Sequence, residues 1–201
     1  MPDTKPEEIM ALSEDQLLAI LKNPDAPLVD KAQACERLAV VGGKDAVPVL
    51  AALLSDPKLA HYGRFGLQPN PDPSVDEAFR SAMAKLKGPL LVGVINSIGQ
   101  RSDAACTDEL TKLLHDHDPE VAAAAAAALG RIGGPAAAKT LQQALGHAKG
   151  PVLAAVGDGC LVCAEGLLAQ GNRDQALALY TALRRPGLPK PIQTAAELGA
   201  K

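Results

Sequence analysis

Aromatic side chains are scarce in this 201-residue sequence, which contains two Tyr, two Phe and no Trp. A core without rings has to be filled by Leu, Val, Ile and Ala, which suits closely packed helices. The strands of a β sandwich would instead be enriched in aromatic and β-branched residues. The scarcity therefore favours an all-α fold and disfavours a β sandwich.

Neither sign of charge dominates the chain, whose formal net charge is −3 at pH 7. Nucleic-acid-binding proteins draw much of their affinity from clustered Lys and Arg, so we expect no DNA or RNA partner. We also expect no membrane insertion, because we find no apolar run near the roughly 20 residues that cross a bilayer. Residues Met1 to Glu8 do not resemble a secretory signal. The compartment stays open, either cytoplasmic or periplasmic.

Four cysteines are too few for a disulfide scaffold. Cys160 and Cys163 form a C-x-x-C motif, but haem attachment would need His where Ala164 stands, and a zinc site would need a second pair. On a continuous helix they share one apolar stripe with Val156 and Leu167, which predicts core positions. A redox role stays open if the preceding Gly-Asp-Gly segment breaks the helix and exposes the thiols, and metal binding is a weaker third reading.

The most informative stretch runs from Asp118 to Pro135. It contains an Asp-Pro helix start, seven consecutive alanines from Ala122 to Ala128, a glycine stop and a proline that begins the next helix. A helix of alanine buries too little area to be stable by itself. We therefore expect neighbouring helices to pack on more than one of its sides.

Similar bends recur along the chain at intervals of roughly 27 to 39 residues, with two helices in each interval. This period predicts a right-handed α-α superhelix, an α-solenoid of about five to six helical hairpins. We assign residues 1–201 to a single domain, with a short lead-in over residues 1–12. The segment Gln68 to Pro73 carries three prolines and is predicted to be a rigid loop, followed by a helix from Ser74 to Lys87.

Three motifs carry a family resemblance: Asp-Ala-Val-Pro at residues 45–48, Asp-Pro-Glu-Val at 118–121 and Ala-Leu-Gly-Arg-Ile-Gly-Gly at 128–134. Together they resemble HEAT repeats, an armadillo-type solenoid, of the short bacterial phycobilisome-lyase-like kind. The resemblance covers most of residues 14–148, and large multidomain bacterial proteins carry similar segments. Residues 164–201 are similar to a tetratricopeptide hairpin instead.

Two functions follow from the resemblance. The leading one is a non-enzymatic scaffolding module that binds a helix or peptide of a protein partner. The alternative is a lyase- or chaperone-like factor that acts on a cofactor-bearing protein. Iron-dependent HEAT hydroxylases carry His-Glu pairs, and this sequence contains none. We predict no catalytic residues and no cofactor.

A run of alternating His and Asp, from His115 to Asp118, is the candidate for a metal site. An alternating His pair with carboxylates is able to ligate a divalent cation. However, the run lies at a bend between helices, where Asp118 is needed as a helix cap. We therefore favour a structural bend and predict no metal site.

Two of the four aromatic residues, Tyr62 and Phe65, lie close together in a His-Tyr-Gly-Arg-Phe segment. In HEAT stacks the second helix of each hairpin lines the concave face, so the resemblance implies that part of this segment faces a groove. Aromatic and Arg side chains are enriched at binding hot spots. The competing interpretation is that both rings fill space beside the proline-rich loop. The predicted partner-binding residues are His61, Tyr62, Arg64, Gly93 and Asn96.

Overall fold

A computed structural model describes residues 6–201, which contain thirteen α-helices, two short 3-10 helices and no strand. This confirms the all-α prediction. Residues 1–5 of the predicted lead-in lie outside the described part of the chain. The α-helices are α1 Pro6–Met10, α2 Glu14–Lys22, α3 Leu28–Val41, α4 Ala46–Ala52, α5 Ala60–Leu67, α6 Ser74–Met83, α7 Gly88–Gln100, α8 Thr107–Leu113, α9 Pro119–Ile132, α10 Gly134–Leu145, α11 Gly150–Ala169, α12 Arg173–Ala182 and α13 Lys190–Gly199.

The helices from α2 onward follow one another as hairpins, and we call α3, α5, α7, α9, α11 and α13 the second helices. Five of the second helices pack on the helix that precedes them in the chain. They are α3, α5, α9, α11 and α13. Consecutive second helices also pack together, as in α3 with α5 and α9 with α11. Contacts between neighbouring repeats are the pattern of a helical repeat protein. The chain divides into two compact units, Met1–Ser97 (unit 1) and Ile98–Lys201 (unit 2).

The proline-rich segment of unit 1 is a loop between α5 and α6, as predicted. Its buried Asn70 donates from Nδ2 to the carbonyl oxygens of Gly42 and Gly43, at 3.1 and 3.0 Å. These bonds hold the loop against the end of α3. The helix that follows ends at Met83, so the predicted end at Lys87 is wrong. Gly88 adopts a φ of 54° and precedes a proline, a combination that disfavours a continuous helix.

The alanine-rich helix α9 is a buried layer of unit 2, with α8, α10 and α11 packed around it. Its contact with α11 is a close approach of two backbones. A Cβ atom at Gly130 would lie 2.7 Å from the carbonyl oxygen of Gly159, and one at Gly159 would lie 2.6 Å from that of Ala126. Small residues on both helices therefore make this packing possible, which confirms that α9 has neighbours on several sides.

The helix α11 is continuous over twenty residues, so the Gly-Asp-Gly segment does not break it. The predicted stripe of Val156, Cys160, Cys163 and Leu167 is fully buried, which confirms the core assignment.

However, α11 is also long and apolar enough to cross a membrane by length and composition. The expectation that no stretch approaches that length is therefore wrong. In the structure α11 packs against α9, α10, α12 and α13.

Candidate functional site

Large apolar side chains that remain exposed are concentrated on the second helices. Among the described residues eight such side chains are exposed, and seven belong to α3, α5, α11 and α13. The exception is Met10 in α1, and none belongs to the first helix of a hairpin. The seven are Leu28, Val29, Val40, Phe65, Val162, Leu168 and Leu198. We call the exposed sides of the second helices the second-helix face and describe it separately in each unit.

In unit 1 the second-helix face is centred on α5. His61 and Phe65 are exposed and lie one helical turn apart, so they share one side of the helix. Tyr62 is half-buried, and its ring meets the imidazole of His61 edge-to-face, with centroids 5.6 Å apart and an interplanar angle of 77°. Phe65 is 49% exposed. The predicted set omitted Phe65, although its four-residue spacing from His61 was a usable signal.

Arg64 connects α5 to α7. Its Nη1 donates to the carbonyl oxygen of Gly93 at 3.2 Å, and its Nη2 lies 3.5 Å from Nδ1 of His61. A Cβ atom at position 93 would lie 2.7 Å from Nε of Arg64, so a larger residue there would push the guanidinium away from the α7 backbone. Burial lowers the pKa of Arg64. The structure thus brings four predicted residues together, His61, Tyr62, Arg64 and Gly93.

The fifth predicted residue, Asn96, lies on α7 three positions beyond Gly93 and is half-exposed. The carbonyl oxygen of Gly93 also accepts a hydrogen bond from the hydroxyl of the buried Ser97, at 3.3 Å. This part of α7 is therefore a backbone surface covered by Arg64, with Asn96 as the nearby side chain that still reaches solvent.

In unit 2 the second-helix face has a floor of small side chains. Ala123 and Ala127 are half-exposed positions in the middle of α9, and Val162 on α11 is 45% exposed. A cavity of about 450 Å³ lies at the C-terminal ends of these helices, where Arg131 and Val162 are among its lining residues. Gly166 also lines it, and a Cβ atom there would meet nothing within 4 Å. The Ser102 hydroxyl also lines this cavity, but no His, Asp or Glu is among the lining residues to act as a base beside it. The arrangement therefore offers shape and apolar surface rather than an acid–base pair.

The His and Asp run is a helix cap, as predicted. Oδ1 of Asp118 accepts a hydrogen bond from the backbone N–H of Glu120 at 2.9 Å, and Oδ1 of Asp116 accepts one from that of Asp118 at 2.8 Å. His115 and His117 are exposed. Within residues 6–201, no group of three or more His, Cys, Asp or Glu side chains is arranged to hold a metal ion.

The C-x-x-C cysteines are buried thiols rather than reactive ones. Burial raises the pKa of Cys160 to about 12 and that of Cys163 to about 11, because a thiolate would have to be desolvated. Reactive cysteines have lowered pKa values and accessible sulfur atoms. The redox alternative required Cys160 to lie near the N-terminus of a new helix. Because α11 is continuous from Gly150 to Ala169, Cys160 does not lie there.

Residues 89–157 match the sequence model of HEAT repeats. The structure is similar to a crystal structure of an engineered protein, with a TM-score of 0.55 and 18% identity over 93% of this chain and 94% of that one. It is also similar to a designed armadillo repeat protein, with a TM-score of 0.52 and 18% identity over 94% and 98% of the two chains. A designed armadillo repeat protein in complex with the peptide (KR)4 gives a TM-score of 0.55 and 16% identity over 94% and 98%.

These similarities establish the fold, which is of the armadillo and HEAT repeat type. The sequence match is to HEAT repeats in general and does not single out the phycobilisome-lyase-like kind. Among curated proteins, none matches the chain in sequence.

Proposed function

We propose that this chain is a non-enzymatic interaction module whose second-helix face holds a helix or an extended peptide of a protein partner. The observation that carries the proposal is the placement of seven of the eight exposed large apolar side chains on second helices. Contiguous exposed apolar surface marks interaction sites, and neighbouring second helices pack against each other, as α3 does with α5 and α9 with α11. The designed armadillo protein with a bound peptide shows that this repeat fold is able to present a peptide-binding surface.

In unit 1 we propose that Phe65 is the main apolar contact, with His61, Tyr62 and Asn96 around it. A half-exposed ring on a rigid helix loses little conformational entropy when a partner covers it. Arg64 and Gly93 have a different part in the same site. Because Arg64 is bonded to the Gly93 carbonyl, it holds the surface in place and contributes its remaining N–H groups.

The test selects peptides from a random library against the full chain and then measures where they bind. Phe65→Asp and Val40→Asp place a charge on the second-helix face. Met10→Asp places one on α1, at a side chain whose exposure of 44% is close to the 49% of Phe65. We expect Phe65→Asp or Val40→Asp to weaken the selected peptides by at least about tenfold, as for the loss of a hot spot. Met10→Asp should leave affinity unchanged. Peptides that tolerate both of these unit 1 substitutions and also Val162→Asp on α11 of unit 2 would refute the proposal.

Thermal melts separate binding effects from unfolding. Phe65→Asp should lower the melting temperature by only a few degrees, since about half of the ring is already in water and only the buried half is lost. Tyr62→Ala decides whether Tyr62 belongs to the site. Loss of a fully buried ring costs roughly 3 to 5 kcal/mol, so a large drop in stability would assign Tyr62 to the core and remove it from the proposed contacts.

No described residue favours the alternative of a lyase- or chaperone-like factor, and we do not propose it. The single domain over residues 1–201 and the tetratricopeptide-like character of residues 164–201 stay predictions, as do the absence of nucleic-acid and membrane partners.

A further inference from the structure

A second cavity in unit 2, of about 210 Å³, is surrounded by basic side chains. His115 follows α8, His147 follows α10, and Lys149 immediately precedes α11, so three separate segments supply them. All three residues are exposed. Lys149 carries a positive charge and both imidazoles offer N–H donors, so the rim is built from groups that bind anions.

The floor of the same cavity is apolar. Leu114 and Val156 line it and are buried, and Val152 lies beside them on the first turns of α11. No Asp or Glu is among the lining residues. The nearest carboxylate along the chain, that of Asp116, accepts a hydrogen bond from the Asp118 backbone instead. The cavity therefore has a rim of one ammonium group and two imidazoles, an apolar floor and no carboxylate in its lining.

The start of α11 adds to this electrostatic pattern. Its N-cap residue is Lys149, no side chain accepts a hydrogen bond from the first turn, and that turn contains no acidic residue. The partial positive charge at the start of a helix is usually balanced by an Asp, a Glu or a capping oxygen. Here nothing in the described part of the chain supplies that oxygen.

We propose that this cavity binds a small organic anion, made of one carboxylate or phosphate group and a short apolar body. The anionic group would lie at the rim among His115, His147 and Lys149, and the apolar body would cover Val152 and Val156. This site does not depend on the second-helix face, so its test and that of the interaction module fail or succeed separately.

The probe is butyrate, added to the full-length ¹⁵N-labelled protein and followed by the backbone amide signals of residues 147–150, 152 and 153. We expect saturable shifts with a dissociation constant on the order of 1 mM, which six non-hydrogen atoms readily support. Butyramide has nearly the same shape without the charge and should bind at least about tenfold more weakly, since charge-assisted hydrogen bonds are the strong ones.

Inorganic phosphate and acetate distinguish the head group from the apolar body. Tighter binding of butyrate than of acetate supports the apolar floor, and saturable binding of phosphate at the same amides extends the site to phosphate head groups. Equal affinity for butyrate and butyramide would overturn the proposal. So would the absence of saturable shifts with all the anions.

Matched variants locate the site. Lys149→Gln and His147→Gln should each weaken butyrate by about tenfold, the loss expected for one charge-assisted bond. His117→Gln changes an exposed histidine two residues from His115 that does not line the cavity, and it should leave affinity unchanged. Circular dichroism would show that the variants stay folded, since all the substituted side chains are exposed. Equal weakening by His117→Gln would mean that the anion responds to general surface charge, and the site would be withdrawn.

Discussion

Glycines inside the second helices of unit 2 differ in what surrounds them. Gly130 lies where α9 and α11 touch, and an added Cβ atom would lie 2.7 Å from the carbonyl oxygen of Gly159 and 2.8 Å from its Cα. Backbone atoms cannot move away as a flexible side chain does. Gly166, in the same helix as Gly159, has nothing within 4 Å of an added Cβ atom. One glycine is required for packing and the other is not.

This difference predicts opposite effects of the same substitution. Gly130→Ala should destabilise the protein by about 1 to 3 kcal/mol, because it forces two helices apart. Gly166→Ala should stabilise it by about 0.5 to 1 kcal/mol, because alanine favours helix and meets no obstacle. Urea denaturation with unchanged m-values measures both. A stabilised Gly130→Ala variant would show that α9 and α11 do not approach as closely as described.

The buried thiols predict a loss of stability at alkaline pH. The pKa of Cys160 rises from 9.0 to about 12 and that of Cys163 to about 11 through burial. Because these folded-state values lie above the unfolded value, the neutral thiols contribute stability that is complete below about pH 9. That contribution is lost as the pH rises through 9 toward 11 and above.

The comparison variant is Cys160→Ala combined with Cys163→Ala, which removes both titrating groups while Lys and Tyr residues titrate as before. Wild type should lose more stability than the variant between about pH 8 and about pH 10.5 in urea denaturation, since the unfolded thiols ionise in this window. Parallel pH profiles would mean that the thiols are solvated in the folded protein.

At the scale of single elements, the sequence predicts helices best where both ends carry a chemical signal. The Asp118-Pro119 pair and Gly133 predict the start and the end of α9 correctly, and the Asp118 side chain caps the helix as expected. The predicted end of α6 at Lys87 is four residues too late, because the chain already turns after Met83, where the backbone N–H of Lys85 donates to the carbonyl oxygen of Ala82. The length of α11 was missed because its Asp and Glu interrupt the apolar run, although they lie on its exposed side.

The helix α11 is expected to stay in the protein core and not to enter a membrane. Its Val156, Cys160 and Leu167 are fully buried against other helices. Asp158, near its middle, would have to enter the bilayer, at a cost of about 2.5 to 3.5 kcal/mol. In density-gradient flotation with phosphatidylcholine vesicles the folded protein should remain with the soluble fraction. Co-flotation under native conditions would contradict this and make α11 a membrane segment.

For the whole molecule, the period of the bends was enough to predict an all-α repeat fold, because every repeat uses the same hairpin. The candidate site was predictable only in part. The scarcity of aromatic residues singles out the segment that contains Tyr62 and Arg64 as a candidate site. Which side of α5 stays exposed, however, depends on the neighbouring helices. Arg64 is half-buried over Gly93, whereas Phe65 is exposed. No local pattern in the sequence contains the Arg64–Gly93 contact, since 29 residues separate them.

A repeat fold also predicts how damage spreads through unit 2. The main contacts of α13 are with α11 and α12, and its buried side chains include Ile192 and Ala196. Leu188, just before it, packs on Gly157 of α11. Deleting residues 188–201 should therefore speed amide hydrogen exchange in α11 and α12 and leave α8 protected, because stability in repeat proteins is a sum of nearest-neighbour terms.

Leu198→Ala in the full-length chain is the control, since that side chain is 64% exposed and should change nothing. Faster exchange throughout unit 2, including α8, would show that the unit unfolds as one cooperative block rather than repeat by repeat.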